Sequence, residues 1–398
     1  MIDASYFTGN RQQLLSALPD DALVVMAGYG ERQRRDDMAH YFEQEGNFWY
    51  LTGIESPDWW LILDGKTGKE WLVAPTVDHV KAAFDGSLDP QRATKYSGIR
   101  TVIDPTAATA LLTEQKRVHR TVYTTEQPEH LRRRSGMQLD RAQGRMKRTL
   151  TDLFETVESC HSHLGRLRAI KQPAEIAAMR KAVTVTLAAF EDARHTLATV
   201  RHEYEVDATM THHFRRLGAR HGYDPIVAAN ANACTLHYVK NDDKLVDGSV
   251  VLIDVGARVG GFTADITRTY AKGVVSPRQR AVHQAVREAQ LACIELLKPD
   301  VSLAQLQNEA DAVLGRAIKR LGLPGEKLRD YMPHALGHGL GIDVHEGLAY
   351  DQLRPGMILT IEPGIYLPDE GIGVRIEDDI LITADGYENL SAALSTSL

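Results

Sequence analysis

The sequence is poor in three things that would otherwise direct its reading. It has three cysteines in 398 residues, Cys160, Cys234 and Cys293, with no CxxC pair. That excludes a zinc knuckle or a dithiol redox motif, and predicts reduced thiols in a cytoplasmic protein. It lacks an excess of positive charge: the formal net charge is −7, whereas a nucleic-acid partner needs a basic face. Its one dense basic run, Arg132-Arg133-Arg134, reads as a solvated helix face, with contact to an acidic neighbour or a second subunit as the alternative. It also lacks any apolar run near the roughly 20 residues that span a bilayer. The N-terminus MIDASYFTGNRQQLLSALPDD has no basic stretch followed by an apolar one, so neither a membrane nor a secretion signal is expected.

What is present is the composition of an ordinary globular chain long enough for two domains. Up to about residue 160 the chain alternates short elements. Apolar runs at 22–27, 59–63 and 70–73 have strand length and end near Gly or Pro, 101–103 and 120–123 are again strand-like, and 11–18 and 105–114 look helical. This is α/β patterning. A long helix is expected over 149–167, then a break at Lys171-Gln172-Pro173. Pro173 suits a first helical turn, and Glu175 suits the positive end of the dipole. Ile176, Met179, Val183, Leu187 and Phe190 give the following helix one apolar face. Strands at 250–255, 262–270, 358–362 and 374–383, with helices at 277–297 and 303–321, make the rest α+β. The expected domains are 1–164 and 165–398.

The candidate chemistry lies in the second domain. Asp254 ends an apolar strand and Asp265 sits in the next, with Gly260 and Gly261 between them. A turn centred on Val259-Gly260 would set the two carboxylates directly opposite, on one face. Two such groups repel unless they share a cation or a proton. The plainer alternative is one solvent-facing carboxylate and one that stabilises the turn. Glu362 ends the run Ile358-Leu359-Thr360-Ile361, an unusual place for Glu. Arg375 and Glu377 alternate with Val374 and Ile376, which puts them on one face, as a site pair or a surface pair. Three histidines, His334, His338 and His345, crowd the glycine-rich segment PHALGHGLGIDVHE, and His237 lies in CTLHYVKND. Four carboxylates and an imidazole suit Mn, Co, Fe or Zn better than a thiolate site would. Five ligands exceed a tetrahedral zinc with an open position but suit two bridged ions.

Taken together these residues resemble the pita-bread metallopeptidases, whose signature runs Asp, ten residues, Asp, then His, Glu and Glu. The words HYVKND, ADITRTY, GHGLGIDVHE, IEPGIY and GVRIEDD match as well. NFWYLTGIESPDWWLIL and the Arg375-to-Glu377 spacing resemble the proline-specific branch, aminopeptidase P and prolidase. The resemblance implies a pita-bread catalytic domain behind a smaller N-terminal α/β domain. It implies a dinuclear enzyme that cleaves Xaa-Pro bonds with two divalent ions, Mn2+ first, with Co2+ or Zn2+ as alternatives. Asp265 and Glu377 would bridge the ions, Asp254 would bind one, and His338 with Glu362 the other. A hydroxide between the ions would attack, with Glu362 as proton shuttle, His345 on the oxyanion and His237 on the substrate. His334, Tyr366 and Arg375 would build the proline pocket. The partners implied are a proline-containing peptide and further copies of the chain, as a dimer or tetramer. Two departures stand out: a short loop at 367–374, and Phe84 where the pattern has a tryptophan near the substrate. Rival readings are a prolidase restricted to dipeptides, a metal-free creatinase-like hydrolase, and a non-catalytic pita-bread binding protein.

Overall fold

In the computed structural model, residues 2–126, 140–324 and 328–398 are described; the basic run at 132–134 lies outside them. The chain divides into two compact units, Ile2–Leu167 and Arg168–Leu398.

The N-terminal unit is built on a six-stranded mixed sheet. Its central strand Leu23–Ala27 is buried along its whole length. It pairs antiparallel with Trp60–Asp64 and parallel with Thr121–Thr124. The first helix is Ala4–Ser16, earlier than the expected 11–18, because the Asp3 carboxylate caps it by accepting from Ser5 N at 2.9 Å. The single helix expected over 149–167 is corrected to three elements: helix Arg141–Leu153, strand Thr156–Ser159 and helix His161–Ala169. The strand exists because its backbone completes a parallel ladder with Thr121–Thr124; that pairing overrides the local helical pattern. Phe84 is 85% exposed on the short helix His79–Asp85.

The C-terminal unit combines long helices with small antiparallel sheets, the α+β class expected. Helix Pro173–Thr196 starts as foreseen, with Pro173 in the first turn and Glu175 Oε2 accepting from Gln172 N at 2.6 Å. Val183 and Phe190 from its apolar face pack with Val206, Met210 and Phe214 of helix Glu203–Arg216 and with Val251, Ile253 and Val255. Helices Pro277–Glu295 and Leu303–Arg320 bury Val286, Ala289, Leu314 and Ala317 against Ile365, Val374 and Ile376. The unit thus holds two successive arrangements of helix pair, loop and strands.

The hairpin register differs from expectation. Strand Ser249–Val255 pairs with Ile266–Lys272 so that Asp254 faces Thr267, and Val259 faces Phe262. The turn falls on Gly260-Gly261, both at positive φ (59° and 89°). A two-residue hairpin turn of this kind needs positive φ at both central positions, which valine resists. Moving the turn by one residue moves the cross-strand partner by two, so Asp265 becomes a diagonal neighbour of Asp254 but keeps the same face. The strands expected at 262–270 and 374–383 are each interrupted. The first breaks between Phe262–Thr263 and Ile266–Lys272, the second between Ile372–Arg375 and Asp378–Ile382. Asp265 and Glu377 sit in those breaks, and Glu362 directly follows strand Ile358–Ile361. At these points the backbone bonds leave the ladder: Asp265 N donates to the Asp379 carboxylate at 3.1 Å, and Glu377 N to Thr267 O at 3.0 Å.

Candidate metal centre and active site

The breaks turn acids inward. Asp254, Asp265 and Glu377 are 7%, 5% and 1% exposed. One carboxylate oxygen from each lies within 4.8 Å of the other two. His338, Glu362 and Glu377 form a second such group, and Asp265, His338 and His345 a third. Glu377 is common to the first two groups. Asp265 reaches the His338 side as well, with Oδ2 3.6 Å from Nε2. The five expected ligands therefore converge, although they come from separate segments.

The histidine is oriented for ligation. His338 Nδ1 lies 3.0 Å from Gly339 O, so Nδ1 carries the proton and the Nε2 lone pair faces Glu362 Oε1 at 3.2 Å. A ligating histidine is commonly fixed in this way. Burial, then the neighbouring His345, lowers its pKa to about 4, so the ring is neutral near pH 7. Gly337 lets the loop approach this closely: a Cβ there would lie 2.0 Å from Thr360 O. The Thr360 hydroxyl links the two, accepting from His338 N at 3.1 Å and donating to Glu362 Oε1 at 3.2 Å.

The acids carry the mark of a centre that expects added positive charge. Burial, and then the charge of Asp254, pushes Asp265 well above the usual carboxylate range. Burial followed by Asp265 and Glu362 does the same to Glu377. Glu362 is pushed up to about 8 by burial; the Arg375 guanidinium opposes this and the Asp254 charge adds to it. Arg375 pairs with the cluster through Asp254, Nη2 to Oδ2 at 2.5 Å, and one guanidinium does not balance four carboxylates. An oxygen-rich set with one imidazole fits divalent ions of the Mn, Co or Zn type.

The remaining expected residues surround this cluster. Arg375 Nη1 donates to the Tyr366 hydroxyl at 2.9 Å, which lies 2.9 Å from His334 Nε2. His334 Nδ1 is 2.8 Å from Ala335 O. The carbonyl can only accept, so Nδ1 donates and Nε2 receives the Tyr366 proton. Burial, then Arg375, lowers the His334 pKa to about 4. The exposed rings of His237 and His345 have centroids 6.3 Å apart, and His345 lies 4.3 Å from His338. Arg375 and Glu377 share a side, as period two requires, but they meet through Thr267. Its hydroxyl donates to Glu377 Oε2 at 2.6 Å and accepts from Arg375 Nε at 3.1 Å.

Sequence reasoning missed three partners. The Tyr223 hydroxyl lies 2.6 Å from Asp254 Oδ1 and 2.5 Å from Asp265 Oδ1. Burial, then those two charges, raises its pKa well above the usual phenol value. It is remote in sequence from both acids and had no local signal. Thr267 lay inside the word ADITRTY, and Asp379 inside GVRIEDD; neither was singled out.

Known proteins resemble this chain in sequence and fold. Residues 177–384 match metallopeptidase family M24, and residues 7–123 match the aminopeptidase P N-terminal domain. The chain belongs to metallopeptidase family M24. It is 31% identical to the Xaa-Pro aminopeptidase of Haemophilus influenzae, over 98% of this chain and 94% of that protein. To the Xaa-Pro aminopeptidase of Escherichia coli it is 30% identical, over 99% and 96%. The structure of E. coli aminopeptidase P in its low-pH form superposes with a TM-score of 0.89 at 27% identity, covering 100% of this chain and 97% of that one. The M24 chain described here is thus an enzyme of the hydrolase class with the two-domain aminopeptidase P fold, its C-terminal domain being of the pita-bread type. Family membership implies divalent metal ions. No described helix is long and apolar enough to cross a membrane.

Proposed function

We propose that this chain is an Xaa-Pro aminopeptidase, removing the residue before proline from peptides that continue beyond it. The carrying observation is the convergence of Asp254, Asp265, His338, Glu362 and Glu377 in overlapping groups with ligand atoms within 4.8 Å. The N-terminal match over residues 7–123 favours an aminopeptidase over a dipeptidase. The intact ligand set speaks against both a metal-free hydrolase and a non-catalytic binding protein.

Asp254, Asp265, His338, Glu362 and Glu377 would hold two divalent ions. Mn2+ is our first candidate, ahead of Co2+ and Zn2+. Bound there, two such ions would supply Lewis-acid chemistry at the scissile carbonyl and would make a water molecule more acidic. Glu362, whose Oε1 lies 3.2 Å from His338 Nε2, takes a proton from water and returns it to the leaving nitrogen. His345 donates to the developing oxyanion, and His237 bonds the substrate near the scissile bond. Proline has no N–H to offer, so the Arg375–Tyr366–His334 chain shapes its pocket and relays a proton. Self-association as a dimer or tetramer and a cytoplasmic location belong to the same proposal. The free thiols of Cys160, Cys234 and Cys293 suit a reducing compartment.

Glu362→Ala should nearly abolish cleavage of an Xaa-Pro-Xaa peptide while far-UV circular dichroism stays unchanged. Chelation should inactivate the wild type, and Mn2+ or Co2+ should restore it. Near-normal turnover by the variant, or full activity after exhaustive metal removal, would refute the assignment. Faster cleavage of Xaa-Pro dipeptides than of tripeptides would convert it to a prolidase.

A further inference from the structure

The loop that presents His237 is closed by one buried carboxylate that no step above uses. Glu203 is 0% exposed in the first turn of helix Glu203–Arg216. Its Oε1 accepts from Ala229 N at 2.7 Å and from Asn232 Nδ2 at 3.1 Å. Its Oε2 accepts from the Tyr238 hydroxyl at 2.9 Å and from Asp243 N at 2.9 Å. Glu203 N in turn donates to Asp243 O at 3.0 Å. Both ends of segment 229–243, and two points between them, are therefore tied to a single side chain. One of those points, Tyr238, is the direct neighbour of His237.

The chemistry of this clamp is unusual. A buried carboxylate normally needs a cation, yet these four donors are two backbone amides, a side-chain amide and a phenol. The helix N-terminus adds positive potential. A second tie works beside it: Asn241, at φ 50°, accepts from Val227 N and donates to Pro225 O, both at 2.9 Å. Without such ties a loop of this length would sample many conformations, and His237 would lose its fixed distance to His345.

We propose that Glu203 is a positioning residue for His237: by closing segment 229–243 it sets where that imidazole meets the substrate. The proposal rests on the aminopeptidase reading. It is tested with a double-mutant cycle on the metal-loaded full chain, using Glu203→Gln, His237→Ala and the double variant on an Xaa-Pro-Xaa peptide. Glutamine keeps the shape but turns an NH2 group toward two of the donors. Displacing a substrate-binding group by about 1 Å can cost roughly 100-fold, so Glu203→Gln should lower kcat/KM by about 10- to 100-fold. In the His237→Ala background the same change should cost less than about twofold, because the group being positioned is gone. Metal content should stay at the wild-type level, since none of the proposed ligands lies in the loop. Equal losses in the two backgrounds would overturn the proposal. Should Glu203→Gln fail to fold, Tyr238→Phe deletes one donor only and should show a smaller loss, again confined to chains that keep His237. A metal-loaded wild type without Xaa-Pro cleavage would overturn the aminopeptidase reading and this proposal together. An active wild type with independent variants overturns this proposal alone.

Discussion

The segment 229–243 brings His237 to the site, and the segment 334–346 brings His334, His338 and His345. Each is anchored by one buried glutamate, but by different means. Glu203 is held by neutral donors. Glu346 is held by cations: Arg168 Nη2 reaches Oε1 at 2.5 Å and Lys171 Nζ reaches Oε2 at 2.8 Å, with Ile342 N adding a bond at 2.8 Å. Burial alone would raise the Glu346 pKa, but Arg168 and Lys171 outweigh it and lower the group to about 2. Glu362, only sixteen positions along the chain from Glu346, is pushed the other way. Two cations thus keep the buried Glu346 charged into acid, whereas burial outweighs the guanidinium near Glu362 and holds its proton to about pH 8. That difference separates the anchor of segment 334–346 from the centre.

The largest effect is expected from breaking the cationic anchor. Glu346→Gln leaves Lys171 buried beside a neutral amide, while Arg168 keeps its bond to Asp343 at 2.6 Å; breaking a buried pair in this way costs about 3–5 kcal/mol. Glu203→Gln leaves neutral donors poorly matched, at about 1–3 kcal/mol. Urea midpoints of the two metal-loaded variants at pH 7 measure the contrast. Equal losses would mean that the kind of partner does not matter and would break the comparison.

A smaller, pH-dependent effect follows from the opposed shifts. The Glu362 carboxyl is pushed up to about 8 from its ordinary value of 4.5. In metal-free protein its penalty is therefore absent below about pH 4.5 and grows as pH rises toward 8. Glu362→Gln removes that penalty, so the variant's melting temperature relative to wild type should climb between pH 5 and 8. Glu346, with its pKa lowered to about 2, stabilises above about pH 4.5 and loses this as pH falls toward 2. The deficit of Glu346→Gln should accordingly stay flat from pH 5 to 8 and shrink in acid. Metal binding must displace a proton from Glu362 below pH 8, so affinity should rise by about tenfold per pH unit for that proton. A flat Glu362→Gln difference would show that the centre is charge-balanced without ions.

These contrasts explain how much the sequence could tell. The candidate ligands were legible because most sit in short words whose residue types and order are distinctive, as with Asp265 in ADITRTY and His338 in GHGLGIDVHE. The same-face relation of Asp254 and Asp265 survived an incorrect turn position, since a shift of one residue at the turn preserves parity. The long helix expected at 149–167 failed because strand Thr156–Ser159 owes its existence to a distant partner. Tyr223, Glu203 and the Arg168–Lys171 pair were invisible for the same reason. Their meaning lies in what they touch, 31 residues away for Tyr223 to Asp254 and 175 for Lys171 to Glu346, and nothing local marks a glutamate as an anchor.

The smallest effect sharpens the comparison from outside. Arg180 and Glu388 repeat the chemistry of Arg168 and Glu346 at the surface, joined through both terminal guanidinium nitrogens, with Nη2 to Oε2 at 2.6 Å. Their side chains are 45% and 43% exposed, against 8% and 5% for the buried pair. Water screens the exposed pair, and ordering two long side chains offsets much of the attraction, so Arg180→Ala should cost less than about 1 kcal/mol. That cost should fall further in 1 M salt, where the Debye length is about 3 Å, and kcat/KM should not change. The Glu346→Gln loss should keep most of its size in the same salt. If the two losses were alike in size and in salt response, burial would not be what makes the Glu346 anchor strong. The rigidity of segment 334–346 would then have to come from its glycine-mediated contact with strand Ile358–Ile361.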